Sequence, residues 1–292
     1  MGLLTLKLLA TLGLAGTVAL TIRCLRRLRG TTLVTAAQWA LAGVLLWSVV
    51  LVGDLWLKEF TKGGADLLWY GVAVVCVCPP IAVLGARRPG ASTWAFFVLL
   101  PLLLVLMWPA FAATRVWKFG TPLELEEPAL IGFAVVLVMG CGNYFGTKFT
   151  LPALLYSVVV VLLLAPLSVV APEMLRDKDR ARCWATVILA ASVAIARMRT
   201  IAIPASTEVW DRVWLDFIDS YGLVWGKRVM DRLNDAAQHE GWTARLEWQG
   251  FVWRPNVTEA DQVATRERID ATLRWLMKRF VEPEWIDQRV RR

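Results

Sequence analysis

The chain has 292 residues, 57% of them hydrophobic, a mean hydropathy of +0.53, a formal net charge of +8, 16 tryptophans and a single histidine. So apolar a composition excludes a wholly water-soluble domain. One histidine excludes bis-histidine haem ligation, an HExxH metalloprotease site and a di-iron carboxylate–histidine site built from one chain, because each needs at least two.

Seven apolar segments occupy the first two hundred or so residues, and more than half the charged residues follow Met198. The pattern predicts an all-α polytopic membrane protein over 1–198, then a small, mostly helical, soluble C-terminal domain over 199–292 with at most one short strand pair. A helix rises about 1.5 Å per residue and the hydrocarbon core is about 30 Å thick, so roughly 20 apolar residues span it. The predicted spans are about 2–22, 33–52, 67–86, 94–113, 129–145, 151–171 and 183–198.

The first segment contains Lys7 and is followed by Arg23, Arg26, Arg27 and Arg29. Positive charge behind the apolar run is an orientation signal, not the basic start of a signal peptide, so the segment is taken as a retained span with the N-terminus outside. The second, third, fourth and sixth segments carry no charge and read directly as spans. Within the third, Cys76 and Cys78 precede Pro79 and Pro80. Paired thiolates suit a soft ion such as copper(I). Residues two apart on a helix, however, point about 200° apart, and the alternative is two small apolar residues beside a proline kink.

The fifth segment lies between Pro128 and the turn Gly146-Thr147-Lys148, which predicts a tight hairpin with the sixth. It holds Asn143, its notable polar residue, beside Tyr144. Gly142 and Gly146 have the small-xxx-small spacing of close helix contact and are candidates for an oligomer interface, as Ala190 and Ala194 are for helix packing. The seventh segment is apolar only from Cys183 to Ala196. It is counted as a span, with Arg182, Arg197 and Arg199 snorkelling from its ends.

Counting onward puts Arg87, Arg88 and Lys148 inside, and the loops 53–66 and 114–128 outside with balanced charge. The loop 172–182 fits badly, because Arg176, Lys178, Arg180 and Arg182 then lie outside beside three acids. Trp56, Trp69, Trp108, Trp117 and Trp184 are read as interfacial indoles at outer span ends. The uncharged spans lack the buried acids or histidine of an ion-coupled pump.

In the C-terminal region, Ser206, Glu208 and Asp211 mark a helix start, and Val209, Trp210, Val213, Trp214, Phe217 and Tyr221 recur at helical spacing. Gly222 breaks or bends this helix before it runs to about Glu240. Residues 243–249 alternate like a half-buried strand. Thr258 with Asp261 caps a further helix using Val263, Ile269, Leu273, Leu276 and Phe280 as its apolar face, stopped by Glu282-Pro283. Asp216 and Asp219, three apart, resemble the spacing that holds magnesium in pyrophosphate enzymes, but no second acidic motif accompanies them, and a solvated helix face is the alternative. His239 reads as an exposed helix-end residue. Asn256-Val257-Thr258 matches a glycosylation acceptor, but it is predicted to be cytoplasmic and Thr258 serves as a cap.

The near-balance of charge in this region argues against nucleic-acid binding. Its eight tryptophans give it a large apolar face that packs on the membrane domain, on the bilayer surface, on a protein partner or into a small core of its own. No residue is assigned to catalysis, a cofactor or a metal; Asp216, Asp219, Asn143, Cys76 and Cys78 are the candidates. The leading expectation is a non-catalytic scaffold or assembly subunit of a bacterial cytoplasmic (cell inner) membrane, in contact with lipid and with a cytoplasmic C-terminal domain that docks a partner or the membrane surface. A permease or channel subunit for a neutral or lipid-like solute is the alternative, and a lipid- or isoprenoid-processing enzyme the second.

Overall fold

The computed structural model describes residues 2–169, 173–201 and 208–291. Among them six helices are long and apolar enough to cross a bilayer: Leu3–Arg27, Val34–Leu57, Lys62–Leu84, Ala95–Ala112, Thr150–Leu167 and Lys178–Thr200. The protein is therefore a multi-pass membrane protein. The element order is α1 (Leu3–Arg27), α2 (Val34–Leu51) with a π-helical extension to Leu57, α3 (Lys62–Cys76), α4 (Cys78–Leu84), α5 (Ala91–Trp94) continuing through a π-helical turn into α6 (Leu100–Ala112), and α7 (Thr114–Phe119). Then come α8 (Glu127–Gly142), α9 (Thr150–Leu164), α10 (Lys178–Ile201), α11 (Val209–His239), the hairpin β1 (Ala244–Glu247) and β2 (Gly250–Trp253), α12 (Glu259–Met277) and α13 (Pro283–Val290).

The weakest predicted spans, the first and the last, are among the longest helices, of 25 and 24 residues. A run of apolar residues stops at the first charge, whereas a helix continues wherever the charge finds a partner, and α10 begins at Lys178 for that reason. The fifth segment is the short one, 16 residues. The third predicted span divides at Val77. Proline lacks an N–H and fits the first turn of a helix, so Pro79 and Pro80 open α4 instead of sitting inside α3. The sixth span was predicted to reach 171, but α9 ends at Leu164 in a 3-10 turn carrying Pro166; residues 170 and 171 lie outside the described residues, as do Pro204 and Ser206.

Helix α10 packs between α1 and α9, and α2 packs against α1, α3 and α4. Helices α1 and α10 meet closely at Gly13, where an added Cβ would stand 2.9 Å from Cβ of Ala190. At Gly140 it would stand 2.8 Å from Pro80, which lets α8 close on α4. Gly142 ends α8, and Gly146 sits beyond it in a turn with φ of 81°. The two do not share a helix face, which corrects the small-xxx-small reading. Inside, Trp47, Trp69 and Tyr70 are fully buried, and the Tyr70 hydroxyl donates to the Leu106 carbonyl. Outside, Leu12, Val105, Trp108 and Val138 are each about 70% exposed, a surface that needs hydrocarbon around it.

In the C-terminal region α11 contains one non-helical residue, Gly222 (φ 77°, ψ −176°), so it is a helix pair across a kink. Thr258 caps α12 as predicted, accepting from the Asp261 N–H at 3.2 Å. Ile269, Leu273 and Leu276 are buried, but Val263 is half exposed and Phe280 acts from beyond the helix end. The hairpin joins Glu247 to Gly250 through Trp248 and Gln249. Phe217 stacks on Tyr221 at 4.8 Å, and Phe280 meets both rings edge-on at 5.2 Å.

Gly13→Leu is expected to separate α1 from α10 and destabilise the protein by about 1–3 kcal/mol, read as a lower Tm in detergent. Gly16→Leu, where an added Cβ meets nothing within 4 Å, should leave Tm unchanged.

Candidate functional site

At one end of the bundle the C-terminal region is fastened to three interhelical stretches. Asn143, the residue after α8, is 4% exposed. Its Oδ1 accepts from the Val224 N–H at 2.9 Å, its Nδ2 donates to the Tyr221 carbonyl at 3.1 Å, and its carbonyl accepts from the Leu223 N–H at 2.7 Å. The kink at Gly222 releases main-chain groups from their helical partners, and Asn143 supplies replacements, as a buried main chain requires. Glycine is needed there twice over, for its positive φ and because a Cβ would lie 2.2 Å from Asn143 Nδ2.

Lys148 completes the joint. Its Nζ lies 3.4 Å from Asp216 and 2.9 Å from Asp219, its N–H donates to Asp219 Oδ1 at 3.1 Å, and Arg289 Nε holds the other oxygen of Asp216 at 2.9 Å. The Tyr144 hydroxyl donates to the Ser220 carbonyl at 3.3 Å. A second set of bonds ties the chain after α12 to the stretches after α1 and α4. The Thr32 N–H donates to Phe280 O at 2.9 Å, Glu282 N–H to Gly30 O at 2.8 Å, and Arg88 N–H to Arg279 O at 2.8 Å. Trp225 Nε1 donates to Val83 O at 2.9 Å. The Tyr221 hydroxyl donates to Phe280 O at 2.8 Å; burial pushes this phenol up to about 12, against the opposing effect of its neighbour Thr32, so it remains a neutral donor.

The opposite end carries a buried ionic network. Arg182, in the first turns of α10, donates from Nη1 to Asp54 Oδ2 at 2.9 Å and from Nη2 to Asp66 Oδ1 at 2.7 Å. The side chains are 6%, 9% and 1% exposed. Asp66 also receives Lys178 Nζ at 2.6 Å and the Leu123 N–H at 3.1 Å, and Asp54 receives Trp69 Nε1 at 2.8 Å. The guanidinium lies 5.5 Å from the centre of the Trp69 ring, and Trp69 meets Trp47 edge-on. Trp47 Nε1 donates to Thr186 Oγ1, which donates in turn to the Arg182 carbonyl. Two acids face two bases, so the group is neutral, as burial demands. Lys7, from α1, reaches the Leu55 carbonyl at 3.2 Å.

Of the five candidates, the structure brings Asn143, Asp216 and Asp219 together in one joint and leaves Cys76 and Cys78 elsewhere, buried on either side of the Val77 break. Cys78 Sγ donates to the Val74 carbonyl at 3.7 Å, and the Cys76 carbonyl accepts from Tyr156. Among the described residues no three His, Cys, Asp or Glu side chains gather where a metal ion would need them. The solvated-face alternative for Asp216 and Asp219 is corrected, since both are occupied by Lys148. His239 is exposed at the end of α11, as read. Two readings at the network end are overturned. Arg182 does not snorkel but is buried between carboxylates, and Trp69 is a core residue, not an interfacial one. The network itself escaped the sequence reading because Asp66 and Arg182 fall one residue outside segments 67–86 and 183–198. The signal was the unexplained surplus of bases in 172–182.

Compared with models of known protein families, with curated proteins and with solved structures, the chain matches none.

Arg182→Met leaves Asp54 and Asp66 without their shared partner and is expected to cost about 3–5 kcal/mol, visible as a loss of monodisperse protein in detergent or a much lower Tm. Gly222→Val should release the C-terminal region with the membrane helices intact. Limited proteolysis is then expected to cut within 208–291 at least tenfold faster than in the wild type, a rate ratio equivalent to about 1.4 kcal/mol of opening.

Proposed function

We propose that this protein is a non-catalytic scaffold or assembly subunit of a bacterial cytoplasmic membrane, crossing it seven times, with its N-terminus outside and its C-terminal region forming a cap on the cytoplasmic end. The observation that carries this reading is the engagement of the candidate polar side chains: Asn143, Asp216 and Asp219 are taken up in fastening the C-terminal region to the bundle. An enzyme of the magnesium-dependent lipid-phosphate class would need those carboxylates open to an ion. A permease would need an opening between the spans, where α10 instead packs between α1 and α9 and α8 closes on α4 at Gly140.

The seventh crossing is α8. Before its N-terminus, Leu125 N–H donates to Leu167 O at 2.7 Å and Leu123 N–H to Asp66, at the network end, while Asn143 after its C-terminus is at the cap end. Sixteen residues make about 24 Å of helix, which a bilayer accommodates by local thinning. The orientation follows from charge. Residues 23–33, 85–90 and 143–149, on which the cap sits, hold Arg23, Arg26, Arg27, Arg29, Arg87, Arg88 and Lys148 and no acid, and such stretches stay cytoplasmic. Lys178, Arg180 and Arg182, awkward in an outer loop, are supported there by their acidic partners.

In a Cys24→Ser background, Lys118→Cys is expected to react with a membrane-impermeant maleimide in intact cells and Asn256→Cys only after permeabilisation. Labelling of both in intact cells would contradict an odd number of crossings, and the reverse pattern would invert the orientation. Reconstituted protein with magnesium should release no phosphate from phospholipid or polyprenyl phosphates; turnover abolished by Asp216→Ala would make it an enzyme.

A further inference from the structure

The segment after α12 is held by its main chain against the bundle: the Arg279 carbonyl accepts from Arg88, the Phe280 carbonyl from Thr32, and Thr31 pairs with Val281 in an isolated bridge. Those partners lie where α1 and α4 end and α2 begins, so residues 275–283 stand at the level where apolar helix gives way to basic loop. A groove of about 320 Å³ opens at this level between α12 and α13, lined by Arg274, Trp275, Lys278, Val281, Pro283 and Ile286. Its walls are mainly apolar, and Trp275 is 53% exposed.

The cations around it are not equivalent. Arg274 is neutralised by Asp270 at 2.6 Å and Asp287 at 2.7 Å. Lys278 and Arg279 make no ion pair among the described residues, and each lies 5.6 Å from the centre of the Trp275 ring. An indole with two unneutralised bases, beside an apolar groove at the end of a helix bundle, is complementary to an amphiphile with a negative head and an apolar tail. A water-soluble anion would leave the apolar wall without a partner.

We propose that this groove seats an anionic phospholipid of the adjoining leaflet, its phosphate met by Lys278 and Arg279 and the upper part of an acyl chain laid along Trp275, Val281, Pro283 and Ile286. The site would tie the cap to the lipid as well as to the helices. It rests on reading the C-terminal region as a cap against one membrane face, but not on which face that is.

The test uses delipidated full-length protein in a neutral detergent, titrated with phosphatidylglycerol, phosphatidylcholine or inorganic phosphate and read by native mass spectrometry and thermal stabilisation. Phosphatidylglycerol is expected to bind and stabilise, phosphatidylcholine to do neither, and millimolar phosphate not to compete. The Lys278→Gln/Arg279→Gln double variant keeps the main-chain docking and should weaken phosphatidylglycerol binding on the order of 30-fold, from about fivefold per base at an anionic surface. Lys278→Arg/Arg279→Lys should retain it, and Trp275→Ala, altering a half-exposed ring, should weaken it without loss of fold. Unchanged affinity in both the glutamine and alanine variants, equal binding of phosphatidylcholine, or phosphate competing as well as lipid would overturn the proposal. So would a wild-type protein that binds no phosphatidylglycerol, which would leave the groove to a protein partner or to none. No leaflet exists in detergent, so a failed orientation experiment leaves this result standing, and a failed titration leaves the orientation untouched.

Discussion

Removing a guanidinium from water costs several kcal/mol even after the surroundings relax, so Arg182 can be buried only where two conditions hold together: a net opposite charge and acceptors for its fork of N–H groups. Asp54 and Asp66 meet both. They come from the end of α2 and the start of α3, and Arg182 comes from α10, so satisfying one side chain draws three helices to a point. Because α10 also packs on α1 and α9, the position of that point sets the register of much of the bundle. Dispersion between apolar helices would allow many registers at similar energy; the ionic contact allows one. Lys178, Leu123 and Trp69 add further donors to the two carboxylates, without which the same charges would destabilise the fold.

The other end solves a different problem by a different means. There the exposed groups are those of the main chain at a kink and at helix ends, and the solution is a lattice of hydrogen bonds to Asn143, Thr32, Arg88 and Gly30. Charge plays the smaller part: the Lys148 pairs with Asp216 and Asp219 have side chains 15–24% exposed, where screening by solvent reduces their worth. The main-chain bonds and the aromatic cluster around Phe280 provide most of the cap's hold. This division explains why the C-terminal region, whose charges nearly cancel, still attaches to the basic end of the bundle.

Between the two ends the spans are chemically quiet. Their thiols and hydroxyls bond within or between helices, as Cys78 does to Val74, Tyr156 to Cys76 and Ser192 to Pro152, and their outer faces are apolar. The polar interactions of the molecule are thus concentrated at its two ends, with an apolar waist between them, the arrangement that a hydrocarbon surrounding favours.

The sequence alone determined the class of the protein, the positions of most of its apolar helices, the Thr258 cap, the helix interruption at Gly222 and the exposure of His239, because each depends on neighbours within a turn or two. It misjudged which spans were long, since a count of uncharged residues ends at Asp66 or at Arg182 while the helix does not. It singled out Asn143, Asp216 and Asp219 for their polarity but gave no hint that they meet, as their partners lie about 70 to 80 positions apart. Whether a charge is solvated, snorkelling or buried is a property of what surrounds it in space. For Arg182 and the two aspartates that hold it, only the tertiary structure could decide, because the desolvation cost of each charge is offset by a partner on another helix.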